Sequence, residues 1–176
     1  MGQSMSPVAS GAVKAGVAGA VVAIILFRTR KLPAAEMGFA RPPLQASLLF
    51  LAIYLAWMFG TDAVLHWRGP WDWGPWIAAP LLASALRVLA VCVLGPTGEE
   101  LLFRGWLFGF LLRRIGTAAT IVVTAAAWAV LHYTYSLPVI GVIFVDGLLL
   151  GLARWKTRSL FPPIVMHMLY NLYAIW

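Results

Sequence analysis

The chain has 176 residues, of which 62% are hydrophobic and 11% charged, and its mean hydropathy is +0.87. This composition is far from that of a soluble domain and predicts an integral membrane protein. The formal charge of +7 is held in short basic clusters between apolar runs, which argues against nucleic-acid binding. Cys92 is the single cysteine, so no internal disulfide bond can form.

The N-terminal third predicts a tail and two membrane spans. Residues 1–11 are small and polar and predict a flexible tail, and residues 12–176 predict a single membrane domain. Residues 12–27 are apolar apart from Lys14 and form the first predicted span. Basic residues follow it directly, without a small-residue cleavage site, so we interpret it as an anchor and not a signal peptide. Residues 44–60 are the second predicted span.

A tryptophan-rich segment, residues 61–76, separates the second span from the third. It reads as an aqueous or interfacial segment, and its tryptophans predict an aromatic belt at the membrane interface rather than a substrate-gripping surface. These tryptophans are Trp67, Trp71, Trp73 and Trp76. Residues 77–94 predict the third span, in which Arg87 is the single charge and is expected to play a structural role.

The stretch after the third span carries charges that ordinary membrane helices lack. Gly95, Pro96 and Gly98 predict a break in the apolar helix, and Thr97 is expected to cap a new one.

On this new helix Glu100 and Arg104 are four residues apart, so we expect them to pair on one face. Glu99 points elsewhere and has no partner in the sequence. An unpaired carboxylate at membrane depth usually serves a function.

The C-terminal half predicts three further apolar segments. The helix with the two glutamates is expected to end at residues 113–116, an apolar run from residue 117 leads to His132, and residues 137–153 and 160–176 predict two more spans. Asp146, within the first of these spans, has no predicted role.

The basic clusters at residues 28–41, 113–114 and 154–158 should all lie on the cytoplasmic face. A helix break at residues 95–98 conflicts with this expectation. With that break, a glutamate helix that crossed the membrane would carry residues 113–114 to the opposite face.

Two histidines fall in the apolar segments together with the glutamates. His167 and Asn171 are four residues apart, so both can donate hydrogen bonds to one oxygen. Trp128 stands in the same relation to His132 and is expected to pack against its imidazole.

The pattern of Glu99-Glu100-x-x-x-Arg104, an aromatic residue four positions before His132, and His167-x-x-x-Asn171 resembles the three motifs of the CPBP intramembrane proteases. That family includes CAAX-prenyl endopeptidases and bacteriocin-processing or self-immunity proteins, and a few similar bacterial members sort proteins by their C-terminal anchors. The resemblance covers roughly residues 81–176. Trp128 departs from the phenylalanine common in the family, and Asp146 from a usually uncharged span.

Peptide hydrolysis inside a membrane needs a held water, a base and donors for the oxyanion. Glu99 can serve as the base with His132 as a second holder of the water. The resemblance implies the same assignment, and it implies that His167 and Asn171 form the oxyanion hole. A structural pair, Glu100 and Arg104, would fix this helix.

The resemblance also implies an all-α polytopic bundle of about six to eight helices with its site in an intramembrane cavity. The expected substrate is a membrane-anchored or lipidated protein, cleaved near its C-terminal part. The expected location is the cytoplasmic membrane of a bacterium.

Two alternatives stay open. Glu99, His132 and His167 could bind zinc as a His₂Glu set, although the His-Glu-x-x-His pattern is absent and we favour a metal-free site. The second alternative is a non-enzymatic membrane scaffold or immunity protein that keeps its buried polar groups for helix packing.

Overall fold

The structure, a computed structural model, describes residues 5–68 and 72–175. Within these residues it consists of helices and contains no strand, which confirms the predicted all-helical membrane bundle. The α-helices are α1 (Pro7–Thr29), α2 (Ala34–Met37), α3 (Leu44–Leu65), α4 (Gly74–Ala78), α5 (Leu81–Val88), α6 (Gly95–Glu100), α7 (Phe108–Val130), α8 (Leu137–Thr157) and α9 (Phe161–Ala174). Of the described helical stretches, four are long and apolar enough to cross a membrane: α1, α3, α8 and the run Leu81–Val130, which is kinked within α7.

Helix α1 begins earlier than predicted. The hydroxyl oxygen of Ser6 accepts a hydrogen bond from the Ala9 N–H at 3.2 Å, and Pro7 occupies the first helical turn, where its missing N–H costs nothing. Residues 7–11 of the predicted tail are therefore helical. Residues 1–4 lie outside the described residues.

The predicted break at residues 95–98 is wrong, because the helix runs on through them. Two π-helical segments, Leu89–Leu94 and Leu101–Leu107, flank α6. The Gly95 N–H bonds to the carbonyl oxygen of Ala90, five residues back, and this wider turn gives room for the ring of Pro96. Thr97 does not cap a new helix.

The predicted end of the glutamate helix at residues 113–116 is confirmed by a kink inside α7. Gly116 has φ 73° and ψ 176°, a backbone conformation that favours glycine over any residue with a side chain. The chain reverses there, and the second part of α7 leads to His132 in the turn that follows Val130.

The three basic clusters meet at one end of the bundle. Arg113 forms an ion pair with Glu36, and the guanidinium of Arg154 donates to the backbone oxygen of the same Glu36 at 3.0 Å. Glu36 lies in the short α2 within the first cluster. We call this the basic end, and the continuous helix through residues 95–98 is what allows residues 113–114 to reach it.

The opposite end of the bundle is rich in aromatic side chains, and we call it the aromatic end. The ring of Trp67 stacks on Tyr170 with centroids 5.2 Å apart. Arg87 lies over the ring of Trp76 at 4.4 Å and donates to the backbone oxygen of Ile175 at 3.3 Å, so it ties α5 to α9. Trp71, part of the predicted belt, lies outside the described residues, as does Trp176.

Candidate active site

One cavity of about 380 Å³ is lined by all four residues predicted to carry the chemistry. Glu99 comes from α6, His132 from the turn after α7, and His167 and Asn171 from successive turns of α9. The continuous helix and its reversal at Gly116 bring these elements together. Four side chains that are up to 72 positions apart in the chain therefore line the same cavity.

Glu99 has a partner that the sequence did not reveal. The indole N–H of Trp128 donates to Glu99 Oε2 at 2.5 Å, and His167 Nε2 lies 4.0 Å from the same oxygen. The expectation of an unpartnered carboxylate was therefore wrong. A buried indole nitrogen usually finds an acceptor, and this was the one sequence signal that pointed to the contact.

Trp128 organises the centre of the site. Its ring packs edge-on against both imidazoles, with centroids 5.2 Å from His132 and 5.1 Å from His167. The guanidinium carbon of Arg104 lies 4.8 Å from the ring centroid. The expected contact with His132 is present, and the same side chain also orients the Glu99 carboxylate.

The expected pair of Glu100 and Arg104 is present and fully buried. Arg104 Nη1 lies 3.0 Å from Glu100 Oε1, and Arg104 Nη2 donates to the backbone oxygen of Gly147 at 3.1 Å. Arg154 Nε donates in turn to the Arg104 carbonyl oxygen at 2.9 Å. The sequence analysis treated Arg154 only as part of the basic cluster at residues 154–158, whereas in the structure it is buried and belongs to this hydrogen-bond network.

The imidazole of His167 is held by the carboxylate of Glu100. Its Nδ1 lies 3.0 Å from Glu100 Oε1, and because a carboxylate only accepts, Nδ1 carries the proton. Its Nε2 points towards Glu99 and can donate only when the ring is an imidazolium. The ring therefore lies between two carboxylates, those of Glu99 and Glu100.

The ring nitrogens of His132 are assigned in the same way, from the hydrogen-bond partner of Nδ1. Its Nδ1 lies 3.0 Å from the Trp128 carbonyl oxygen, so Nδ1 is the protonated nitrogen of the neutral ring. Its Nε2 then carries a lone pair. This nitrogen is suited to accept a hydrogen bond from water.

Asn171 donates one amide hydrogen to the carbonyl oxygen of Val91 at 2.8 Å. That carbonyl lacks a helical partner, because the Gly95 N–H bonds to Ala90 and Pro96 has no N–H to offer. The π-helical segment thus creates an acceptor that fixes the orientation of Asn171. The second hydrogen of the same amide group is left for a ligand in the cavity.

Asp146 also lines the cavity, although the sequence suggested no role for it. It is buried, and its Oδ1 accepts a hydrogen bond from the indole N–H of Trp57 at 2.9 Å. This contact joins α8 to α3. We assign it to packing of the bundle.

The three side chains suggested as zinc ligands, Glu99, His132 and His167, all line this cavity. Among the described residues, no three His, Cys, Asp or Glu side chains are grouped so that they could hold a metal ion. His167 Nδ1 and His132 Nδ1 bond to Glu100 and to a backbone oxygen, which leaves the Nε2 atom of each ring outside these bonds, and the indole N–H of Trp128 donates to Glu99 Oε2. We derive no chemical step through a metal.

The fold and the cavity define a polytopic helical membrane protein with a partly polar site among its helices. The family model described as Type II CAAX prenyl endopeptidase Rce1-like matches residues 80–173, more than half of the chain. The chain belongs to this family and is an intramembrane endopeptidase. No curated protein and no solved structure matches it.

Proposed function

We propose that the protein hydrolyses a peptide bond near the membrane-embedded or lipidated C-terminal part of a protein substrate, using Glu99, His132, His167 and Asn171. The observation that carries this proposal is the single cavity that all four side chains line. A packing role alone needs paired polar groups. It does not need a base, a lone-pair acceptor and two donors aimed at one space.

Water activation falls to Glu99 and His132. The water donates one hydrogen to the His132 Nε2 lone pair and the other to the Glu99 carboxylate, which takes the proton as the water oxygen attacks the carbonyl carbon. Glu99 then gives this proton to the amide nitrogen as the C–N bond breaks. The Trp128 indole on Oε2 holds the carboxylate in place throughout.

Stabilisation of the oxyanion falls to His167 and Asn171. His167, oriented by Glu100, donates from Nε2 when that nitrogen carries a proton, and Asn171 donates its second amide hydrogen. Both side chains are held by other groups before substrate binds. Little reorganisation is then needed when the negative charge develops.

An apolar groove of about 320 Å³ supports a membrane-embedded substrate. Glu99 and His132 border it on one side, and side chains of α1 such as Val21 and Ile25 border it on the other. Its walls suit a hydrophobic helix or a lipid chain. Such a segment would lie beside the proposed base.

The proposal is tested by comparing membrane-protein fragments in cells that express the wild-type chain with those in cells that lack it. Mass spectrometry should identify at least one protein cut near a membrane segment only when the chain is present. A complete absence of such cleavage across the detected membrane proteome contradicts the proposal. An identified cleavage then supplies the assay for the variants below.

Changing Asn171 to alanine should lower cleavage by about 10² to 10³-fold, mainly in kcat, because one oxyanion donor is lost. The change also removes the hydrogen bond that Asn171 donates to the Val91 carbonyl oxygen. A second variant is therefore needed to separate the loss of the oxyanion donor from the loss of this helix contact. The double variant Pro96→Ala with Asn171→Ala restores a backbone N–H within reach of that carbonyl. Activity should stay low in the double variant. Recovery to near wild-type activity would show that Asn171 matters only as the donor to the Val91 carbonyl and not as an oxyanion donor.

Chelation provides the test of the zinc alternative. Cleavage by purified protein should be unchanged after dialysis against a strong chelator, and metal analysis should find less than stoichiometric zinc. Loss of activity on chelation and its return with Zn²⁺ would favour zinc binding by Glu99, His132 and His167.

A further inference from the structure

Lysine and arginine residues are distributed unevenly between the two ends of the bundle. Of thirteen in the chain, nine lie at the basic end, three towards the aromatic end, and Arg104 lies in the core. The nine are Arg28, Arg30, Lys31, Arg41, Arg113, Arg114, Arg154, Lys156 and Arg158, and the three are Lys14, Arg68 and Arg87. Since such residues are retained on the cytoplasmic side during insertion, the basic end is the cytoplasmic one.

The helix directions agree with this assignment. Gly11 of α1 lies against Leu86, and Gly98 lies against Val22, so α1 and the glutamate helix run in the same direction towards the basic end. Helix α3 runs from the basic cluster at 28–41 to the aromatic end, and α8 returns to the basic end at Arg154.

The cavity opens towards the aromatic end. Its lining includes Trp67 from the loop after α3, Tyr135 from the loop after α7, and Ile175 from the end of α9. All three belong to segments that lie at the end of the bundle away from the basic clusters. Tyr135 is 56% exposed, so the lining there reaches the protein surface.

The side of the cavity that faces the basic end is closed by packed side chains. These are 0–1% exposed and comprise Glu100, Arg104, Phe108, Leu150, Ala153 and Leu160. The hydrogen bond from Arg154 to the Arg104 carbonyl locks this layer. Within the described residues, the layer separates the site from the cytoplasmic side.

We infer that the active site opens to the extracytoplasmic face of the membrane, and that the substrates are proteins whose scissile bond lies at the extracytoplasmic end of a membrane segment. The inference rests on the proposed function only in taking this cavity as the site of cleavage. A prenylated peptide presented from the cytosol would meet the closed layer and nine basic side chains. The substrate class is therefore exported, membrane-anchored proteins.

Cysteine labelling tests the orientation without requiring activity. In a Cys92→Ala background, Tyr135→Cys places a thiol in the cavity lining and Ala34→Cys places one at the basic end without changing a charge. Spheroplasts of a bacterial host are treated with a membrane-impermeant maleimide before and after permeabilisation. Tyr135→Cys should be labelled in intact spheroplasts and Ala34→Cys only after permeabilisation.

Labelling of Tyr135→Cys only after permeabilisation overturns the inference. If that variant fails to accumulate, Tyr133→Cys in the same loop replaces it, since Tyr133 is 77% exposed. The cleavage sites that depend on the wild-type chain give a second readout. They should lie at extracytoplasmic ends of membrane segments, and cleavage sites at cytosolic ends overturn the inference. If the labelling is as expected but no cleavage is found at all, that result contradicts the proposed function and not the orientation.

Discussion

Replacing Glu99 with glutamine is expected to lower cleavage by about 10² to 10⁴-fold or more while the protein stays folded. Glutamine keeps the shape of the side chain, and its amide oxygen can still accept the Trp128 N–H that now bonds to Oε2. What is lost is the group that takes a proton from water. The loss should appear in kcat, because substrate contacts elsewhere in the cavity are unchanged.

The measurement compares initial rates of cleavage in detergent or liposomes at equal amounts of folded protein. Glu36→Gln is the matched control, since it removes one acidic group at the basic end, where Glu36 pairs with Arg113 far from the cavity. Its rate should stay near that of the wild type. A Glu99→Gln protein with near-normal cleavage would transfer the role of base to Glu100 or to a bound metal.

The features that the sequence predicted correctly are local ones. The spacing of Glu100 and Arg104 places them on one helical face wherever that helix packs, and the structure has this pair at 3.0 Å. The end of the glutamate helix near Gly116 was also predicted from the sequence, because basic residues followed by glycine commonly end a helix. Apolar runs also predicted spans where the structure has α1, α3 and α8, each long and apolar enough to cross a membrane. The predicted span at residues 160–176 is instead the shorter helix α9, which has 14 residues.

The features that were missed depend on tertiary contacts. A proline and two glycines normally end a helix, but the π-helical turn before Pro96 absorbs the proline, and Asn171 satisfies the carbonyl that this leaves free. Asn171 lies 80 positions from Val91, so no local pattern could indicate the contact. The continuous helix in turn removed the topological conflict.

The partner of Glu99 was missed for the same reason. Trp128 was read as a neighbour of His132, four positions away, and that contact exists. Its N–H, however, points to a carboxylate 29 positions earlier in the chain. Local spacing thus identified the residues of the site, whereas their hydrogen-bond partners were fixed by how the helices pack.

Changing Arg104 to alanine is expected to cost stability as well as activity. The side chain is completely buried, bonds to Glu100 and to the Gly147 carbonyl, and lies beneath the Trp128 ring. Its removal leaves the Glu100 carboxylate buried without its cation, and breaking a buried pair in this way costs about 3–5 kcal/mol.

The thermal midpoint in detergent and the amount of protein in the membrane should therefore both fall for Arg104→Ala. Arg114→Ala is the matched control, because that exposed guanidinium contacts only groups of its own helix in the described part of the chain. It should lower neither quantity measurably. Activity per folded molecule should also drop in Arg104→Ala, since Glu100 holds the His167 ring that faces the reaction. An Arg104→Ala protein with a wild-type melting temperature would mean that Glu100 takes up a proton in place of its partner, and the buried ion pair would then not be what fixes this helix.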